Sequence, residues 1–201
     1  MQMEFKKLSD LTDLRGKKVL LRVDFNVPIV GDEVRDDFRI QKSLPTLQML
    51  HDAGAKTIII AHLENDLTDS LERIAAYVSH MIELKAFVSD LNQATAVVSS
   101  MQEGDIIMLE NLRKDSGEKA NDPVFAQKLA SLADIYVNDA FSVSHREHAS
   151  IVYLPKILPA YAVPLLSREV VELSRAFIPT HPFLFVLGGA KFETNLPLIE
   201  K

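Results

Sequence analysis

The chain predicts an α/β fold: a doubly wound, mostly parallel sheet with helices on both faces (Rossmann-like), followed by the first strand of a second domain. Three observations predict it. Short apolar runs, near-continuous rather than alternating, recur between helical stretches, as strands covered on both faces require. Proline and glycine punctuate the helical stretches at their ends. Successive apolar runs also break off at basic side chains. The run over 20–23 leads through a loop to Arg39, that over 57–61 ends at His62, and that over 105–109 leads to Arg113. A further run, 135–137, leads to His145 and Arg146. In a parallel sheet the carboxyl ends of the strands share one edge, where ligands bind.

In chain order, strands are expected over 18–23, 57–61, 86–89, 106–109, 135–137 and 183–187. Helices are expected over 45–53, 71–82, 93–101, 123–132 and 165–177. Pro45 and Pro123 suit a first helical turn, and Gly54 and Gly104 suit left-handed caps after a last turn. The alternation predicts right-handed βαβ units. After Ile151 the composition changes: Pro155, Pro159 and Pro164 mark a connecting region. An amphipathic helix follows, and Pro179 and Pro182 end it. The expected division is therefore 1–164, a connector over 165–180, and the start of a second domain over 181–201.

The bulk numbers exclude several classes. A net charge of −6 over 201 residues gives no general attraction for nucleic acid or an anionic membrane, so neither partner is expected. No apolar stretch approaches the roughly 20 residues of a membrane helix, and the N-terminus lacks a signal-peptide layout. With no cysteine, disulfides and thiolate metal sites are excluded, and a cytoplasmic location is expected. No His/Asp/Glu spacing suits a metal, so no metal ligand is assigned.

Against that acidic background Arg39, His62, Arg113, His145 and Arg146 form a cation set. Arginine's planar fork matches phosphate and carboxylate, so a phosphate ester carrying a carboxylate suits such a ring. Asp24 and Asn26, two apart beyond the first strand, project the same way and can hold hydroxyl and carboxylate groups of a small polyol acid. The same residues with Pro28 also suit a plain turn. Gly188, Gly189 and Lys191 follow the last expected strand, where backbone N–H groups and a lysine can meet a phosphate. A glycine turn used for packing alone would read identically. Glu118-Lys119 reads as a solvated face.

Taken in order, Val23-Asp24-Phe25-Asn26-Val27-Pro28, Leu109-Glu110-Asn111-Leu112-Arg113, Tyr136-Val137-Asn138-Asp139-Ala140-Phe141, His145-Arg146 with His148-Ala149-Ser150, and Gly188-Gly189-Ala190-Lys191 closely resemble the phosphoglycerate kinase family. The resemblance implies a phosphoglycerate-binding domain over 1–164 and the beginning of a nucleotide domain over 181–201. It implies reversible phosphoryl transfer between 1,3-bisphosphoglycerate and ADP, giving 3-phosphoglycerate and ATP in glycolysis. ATP/ADP with Mg²⁺ would be the cofactors, held mainly by a second domain, and the protein would be a monomer. Asp24, Asn26, Arg39, His62, Arg113 and Arg146 would bind substrate. Arg39 and Lys191 would act in catalysis, with Gly188, Gly189 and Lys191 at the nucleotide. Because the chain stops at Lys201, it is expected to be inactive alone. The alternative is a non-catalytic phosphoglycerate-binding or structural remnant. Two positions depart from the family pattern. His62 precedes Leu63-Glu64-Asn65-Asp66 where Leu-Gly-Arg-Pro is usual, and Asn195 replaces a lysine. Smaller departures fall at Ser142-Val143-Ser144 and at Val163.

Overall fold

The computed structural model describes residues 6–31, 33–64, 70–175, 179–184 and 186. Eight strands are described: β1 (Lys18–Val23), β2 (Ile29–Val30), β3 (Glu33–Val34), β4 (Lys56–Ile60), β5 (Ala86–Val88), β6 (Ile106–Leu109), β7 (Ile135–Asp139) and β8 (Ala160–Ala162). All but β2 and β3 join one six-stranded sheet, ordered β5-β6-β4-β1-β7-β8, and every pairing in it is parallel. The chain leaves β1 towards β4 on one side and later returns to β7 on the other. That reversal opens a crevice above the carboxyl end of β1, where ligands sit in such sheets.

Register makes the carboxyl ends nearly flush. Arg22 lies opposite Ile60 on one side and Asn138 on the other, and Ile59 lies opposite Met108. The residues just beyond each strand therefore emerge at one level. Strand side chains are buried on both faces. Leu20, Ile58, Ile60, Ile107, Leu109 and Tyr136 pack in one cluster with Ala94 and Val98 of α3 (Ala94–Ser99). Phe125 and Leu129 of α5 (Pro123–Ala130) join them, as does Leu154 of α7 (Leu154–Ile157). Their neighbours Val19, Leu21, Ile59, Met108 and Val137 are also buried and, by alternation, face the other way. Outside that cluster, α1 (Phe38–Asp52) packs beside β4 with Ile40, Leu47 and Leu50 fully buried. The remaining helices are α2 (Glu72–Ser79), α4 (Ser116–Lys119), α6 (Ala149–Val152) and α8 (Pro164–Arg175).

The expected strands over 18–23 and 106–109 are found at those bounds, and the next three differ by a residue or two at their ends. Gly54 and Gly104 adopt φ of 72° and 83°, the left-handed cap conformation. Pro123 opens α5 behind Asp122, whose carboxylate accepts from the Val124 N–H at 2.8 Å.

Three expectations need correction. Pro45 does not open its helix: α1 begins at Phe38 and Pro45 lies inside it. An interior proline costs about 3 kcal/mol in an isolated helix, yet apolar side chains on either side of it, Ile40 before and Leu47 and Leu50 after, are anchored in the core. Packing therefore overrides propensity. Second, Phe183, Leu184 and Val186 are not in a strand. A strand needs a neighbour to take its N–H and C=O groups; residues 185 and 187 of the expected strand lie outside the described residues. Third, Ala160–Ala162, read as part of a proline-marked connector, is the edge strand β8, where flanking prolines are tolerated. The chain divides into two units, Met1–Glu169 and Val170–Lys201.

Candidate functional site

Beyond β1 the chain turns through Asp24 and Asn26. The Asp24 carboxylate is the anchor: Oδ1 accepts from the Asn26 N–H at 3.2 Å, and Oδ2 accepts from Arg39 Nη1 at 2.8 Å and from the Ser142 hydroxyl. Arg39 also donates to the Asn26 carbonyl at 3.2 Å. Arg39 sits in the first turn of α1, which directs its half-exposed guanidinium back over the strand end. Together Asp24, Arg39, Lys42, Asp139, Ser142 and Glu169 line a cleft of about 430 Å³.

A second cluster lies beyond β4 and β6. Asn111 follows β6 and its side chain clamps Leu63, accepting from the Leu63 N–H at 3.1 Å and donating to the Leu63 carbonyl at 2.9 Å. That clamp fixes His62 on one side and Glu64 on the other. Arg113, whose N–H also reaches Asn111 Oδ1, has a side chain only 7% exposed and extends its guanidinium to Glu64 Oε2 at 2.5 Å. Lys119 reaches the other Glu64 oxygen at 3.7 Å. The exposed Arg146 is close enough, with Arg113 and Lys119, to hold the Glu64 carboxyl below its ordinary range; the Arg113 hydrogen bond is the largest cause. The Glu64 N–H in turn donates to Asn26 Oδ1 at 2.9 Å, joining the two clusters.

Beneath both lies Arg22, a fully buried arginine inside the central strand. Its guanidinium donates to Ser150 Oγ at 3.2 Å, to the Val23 carbonyl at 2.5 Å and to His62 Nδ1 at 3.0 Å. Ser150 passes the network on to Glu118, with N–H and Oγ donating to its carboxylate at 2.9 and 2.6 Å. Burial lowers the Arg22 pKa. It also drives His62 down to about 2, helped by the charges of Arg22 and Arg113. His62 is therefore a neutral imidazole at ordinary pH, not the cation expected from its place after a strand. Since arginine offers only donors, Nδ1 is the acceptor and the ring proton sits on Nε2, available to a ligand oxygen.

The structure thus brings Asp24, Asn26 and Arg39 together, and separately gathers His62, Arg113 and Arg146, with Asn26 and Glu64 bridging the groups. Arg113 and Arg146 do not line the 430 Å³ cleft. His145 is exposed and apart from both groups in hydrogen bonding. Asn65, Gly188, Gly189, Lys191 and Asn195 lie outside the described residues. Glu118, read as part of a solvated face, is instead buried and holds Ser150. Sequence reasoning gave no role to Arg22, Asn111, Glu118 or Ser142. A signal for Arg22 existed: a charge inside an otherwise apolar strand buried on both faces must have partners.

Comparison with known proteins identifies the family. A sequence model of the family described as phosphoglycerate kinase matches residues 8–201. The chain belongs to the phosphoglycerate kinase family. It is 47% identical over 199 residues to the phosphoglycerate kinase of a Wolbachia from Drosophila simulans, covering 94% of this chain and 50% of that protein. Identity to the phosphoglycerate kinase of Methylorubrum extorquens is 42% over 206 residues, covering 98% of this chain and 52% of the relative. Among solved structures, phosphoglycerate kinase from Pyrococcus horikoshii superposes with a TM-score of 0.88 at 30% identity, over 97% of this chain and 51% of that one. The enzyme from Coxiella burnetii gives 0.84 at 33% identity, over 98% and 51%. The chain spans about half the length of the phosphoglycerate kinases it matches. Among the described residues no helix is long and apolar enough to cross a membrane.

Proposed function

We propose that this chain forms the phosphoglycerate side of a phosphoglycerate kinase, which transfers a phosphoryl group reversibly between 1,3-bisphosphoglycerate and ADP. The observation that carries the reading is the cleft at Asp24 and Arg39, joined through Asn26 to an adjacent cationic seat. Asp24 and Asn26 hold the hydroxyl and carboxyl groups of the three-carbon acid. Arg113, Arg146 and the Nε2–H of neutral His62 take the non-reacting 3-phosphate by charge-assisted hydrogen bonds. Arg39, held by Asp24, faces the carboxyl end and balances charge on the phosphoryl group in flight. Phosphoryl transfer needs mainly positioning and charge neutralisation, which these residues supply without bond-making of their own. A bound nucleotide with Mg²⁺ supplies the phosphoryl donor or acceptor; on this chain Gly188, Gly189 and Lys191 are its proposed contacts. Residues 1–164 are the proposed substrate domain, 165–180 the connector and 181–201 the beginning of the nucleotide domain. The protein acts as a monomer in the cytoplasm, without nucleic acid or membrane as partner.

Calorimetric titration of the 201-residue chain with 3-phosphoglycerate tests this. Binding is expected to weaken with added salt. Arg113→Met should weaken it roughly ten- to hundredfold, the cost of a charged hydrogen bond. No heat with the wild-type chain, or equal affinity in the variant, rejects the assignment.

A further inference from the structure

Arg113 poses a physical problem that Glu64 answers. Its side chain is 7% exposed, near the charges of Arg22 and Arg146, and buried charge needs a counter-charge. Among the described residues the carboxylate bonded to it is Glu64, at 2.5 Å, with Lys119 at 3.7 Å from the same group. The two halves of Glu64 behave differently. Its backbone is pinned, by the N–H bond to Asn26 at 2.9 Å and by the Asn111 clamp on Leu63. Its side chain is 63% exposed, so its carboxylate arrives from the solvent side and can swing back into water. Water screens a carboxylate that stands in solvent, so the Arg113 end of the contact is fixed and buried while the Glu64 end can be released.

We propose that Glu64 is a specificity-determining residue: its carboxylate fills the seat made by Arg113, Lys119 and Arg146, and a phosphate-bearing ligand binds by displacing it. This rests on the proposed phosphoglycerate reading and adds to it an internal competitor. The consequence is selective. A dianionic phosphate competes for Arg113 with Glu64, whereas an acid without a phosphate, held at Asp24 and Asn26, does not. The depressed pKa of the Glu64 carboxyl keeps the competitor charged at neutral pH.

The test is calorimetry of the wild-type chain and Glu64→Gln with 3-phosphoglycerate, inorganic phosphate and glycerate. In Glu64→Gln both phosphate ligands are expected to bind roughly two- to fivefold tighter, with glycerate unchanged. Adding Arg113→Met to that variant should erase the gain. A second substitution, Glu64→Ala, must behave like Glu64→Gln, which guards against a new amide contact to Arg113. Unchanged or weaker phosphate binding in both Glu64 variants overturns the proposal, because Glu64 would then be a static structural partner. If wild type binds 3-phosphoglycerate, Arg113→Met loses it and Glu64→Gln matches wild type, the Glu64 assignment falls and the proposed function stands. If neither wild type nor variant binds 3-phosphoglycerate, both fall.

Discussion

Asp139 ends β7 with both carboxylate oxygens buried and neither making a hydrogen bond of good geometry. Burial pushes its pKa up to about 7; Glu169 adds to the shift, while the Ser43 and Thr46 hydroxyls oppose it. In the unfolded chain the group titrates near its ordinary 3.8. The folded protein thus binds this proton more tightly. Its stabilising contribution is complete below the lower value and lost as pH rises through the upper one. Relative to Asp139→Asn, wild type should lose about 2–3 kcal/mol of unfolding free energy between about pH 5 and about pH 8. Urea melts of both proteins at each pH measure this, and parallel stabilities would contradict it. Legibility at this scale followed position. Asp24, Asn26 and Arg113 were visible because each follows a strand by a few residues, and Arg39 because it opens the next helix after the first strand's loop. Glu118 and Ser150 were not, since their burial depends on α4 and α6 folding under β1, which no local pattern announces. The neutrality of His62 was hidden for the same reason: it comes from burial, reinforced by the charge of Arg22, which is distant in sequence.

Among elements, α4 carries a small duty with a tight tolerance. Its Gly117 lies where an added Cβ would come within 2.8 Å of Phe125 Cβ on α5. Its neighbour Glu118 orients Ser150 and, through it, Arg22. Gly117→Ala should destabilise the chain by about 1–3 kcal/mol through overpacking. A thermal melt reads this, and an unchanged midpoint would show that α4 can shift aside. Strands were legible in the sequence because both sheet faces are covered, leaving mostly apolar runs in β1, β4, β6 and β7, with Arg22 the charge that interrupts β1. The hairpin of β2 and β3 has two residues per strand, too short for any period to register. The early start of α1 was masked by Pro45, whose local signal opposes the packing that wins.

Across the whole chain, charge and apolarity are unevenly placed. The protein is acidic, yet it concentrates cations at one strand edge, while Phe183, Leu184 and Val186 are 46%, 84% and 81% exposed. Such side chains favour association. Replacing all three with serine should raise solubility, measured by ammonium sulfate precipitation, and leave 3-phosphoglycerate affinity untouched. Equal precipitation points would reject the first expectation. The sequence made this segment look like a strand because its apolar pattern is that of one. Arg22 carries a different lesson for descent. Because its guanidinium ties His62 to Ser150 and Glu118, these residues are bound to foldability as well as to any ligand. A lineage released from selection for catalysis would keep them for as long as it kept a folded domain. Decay would surface first at Arg39, which is half-exposed and lies outside that buried network, so that position is where kinship between working and retired copies should be judged.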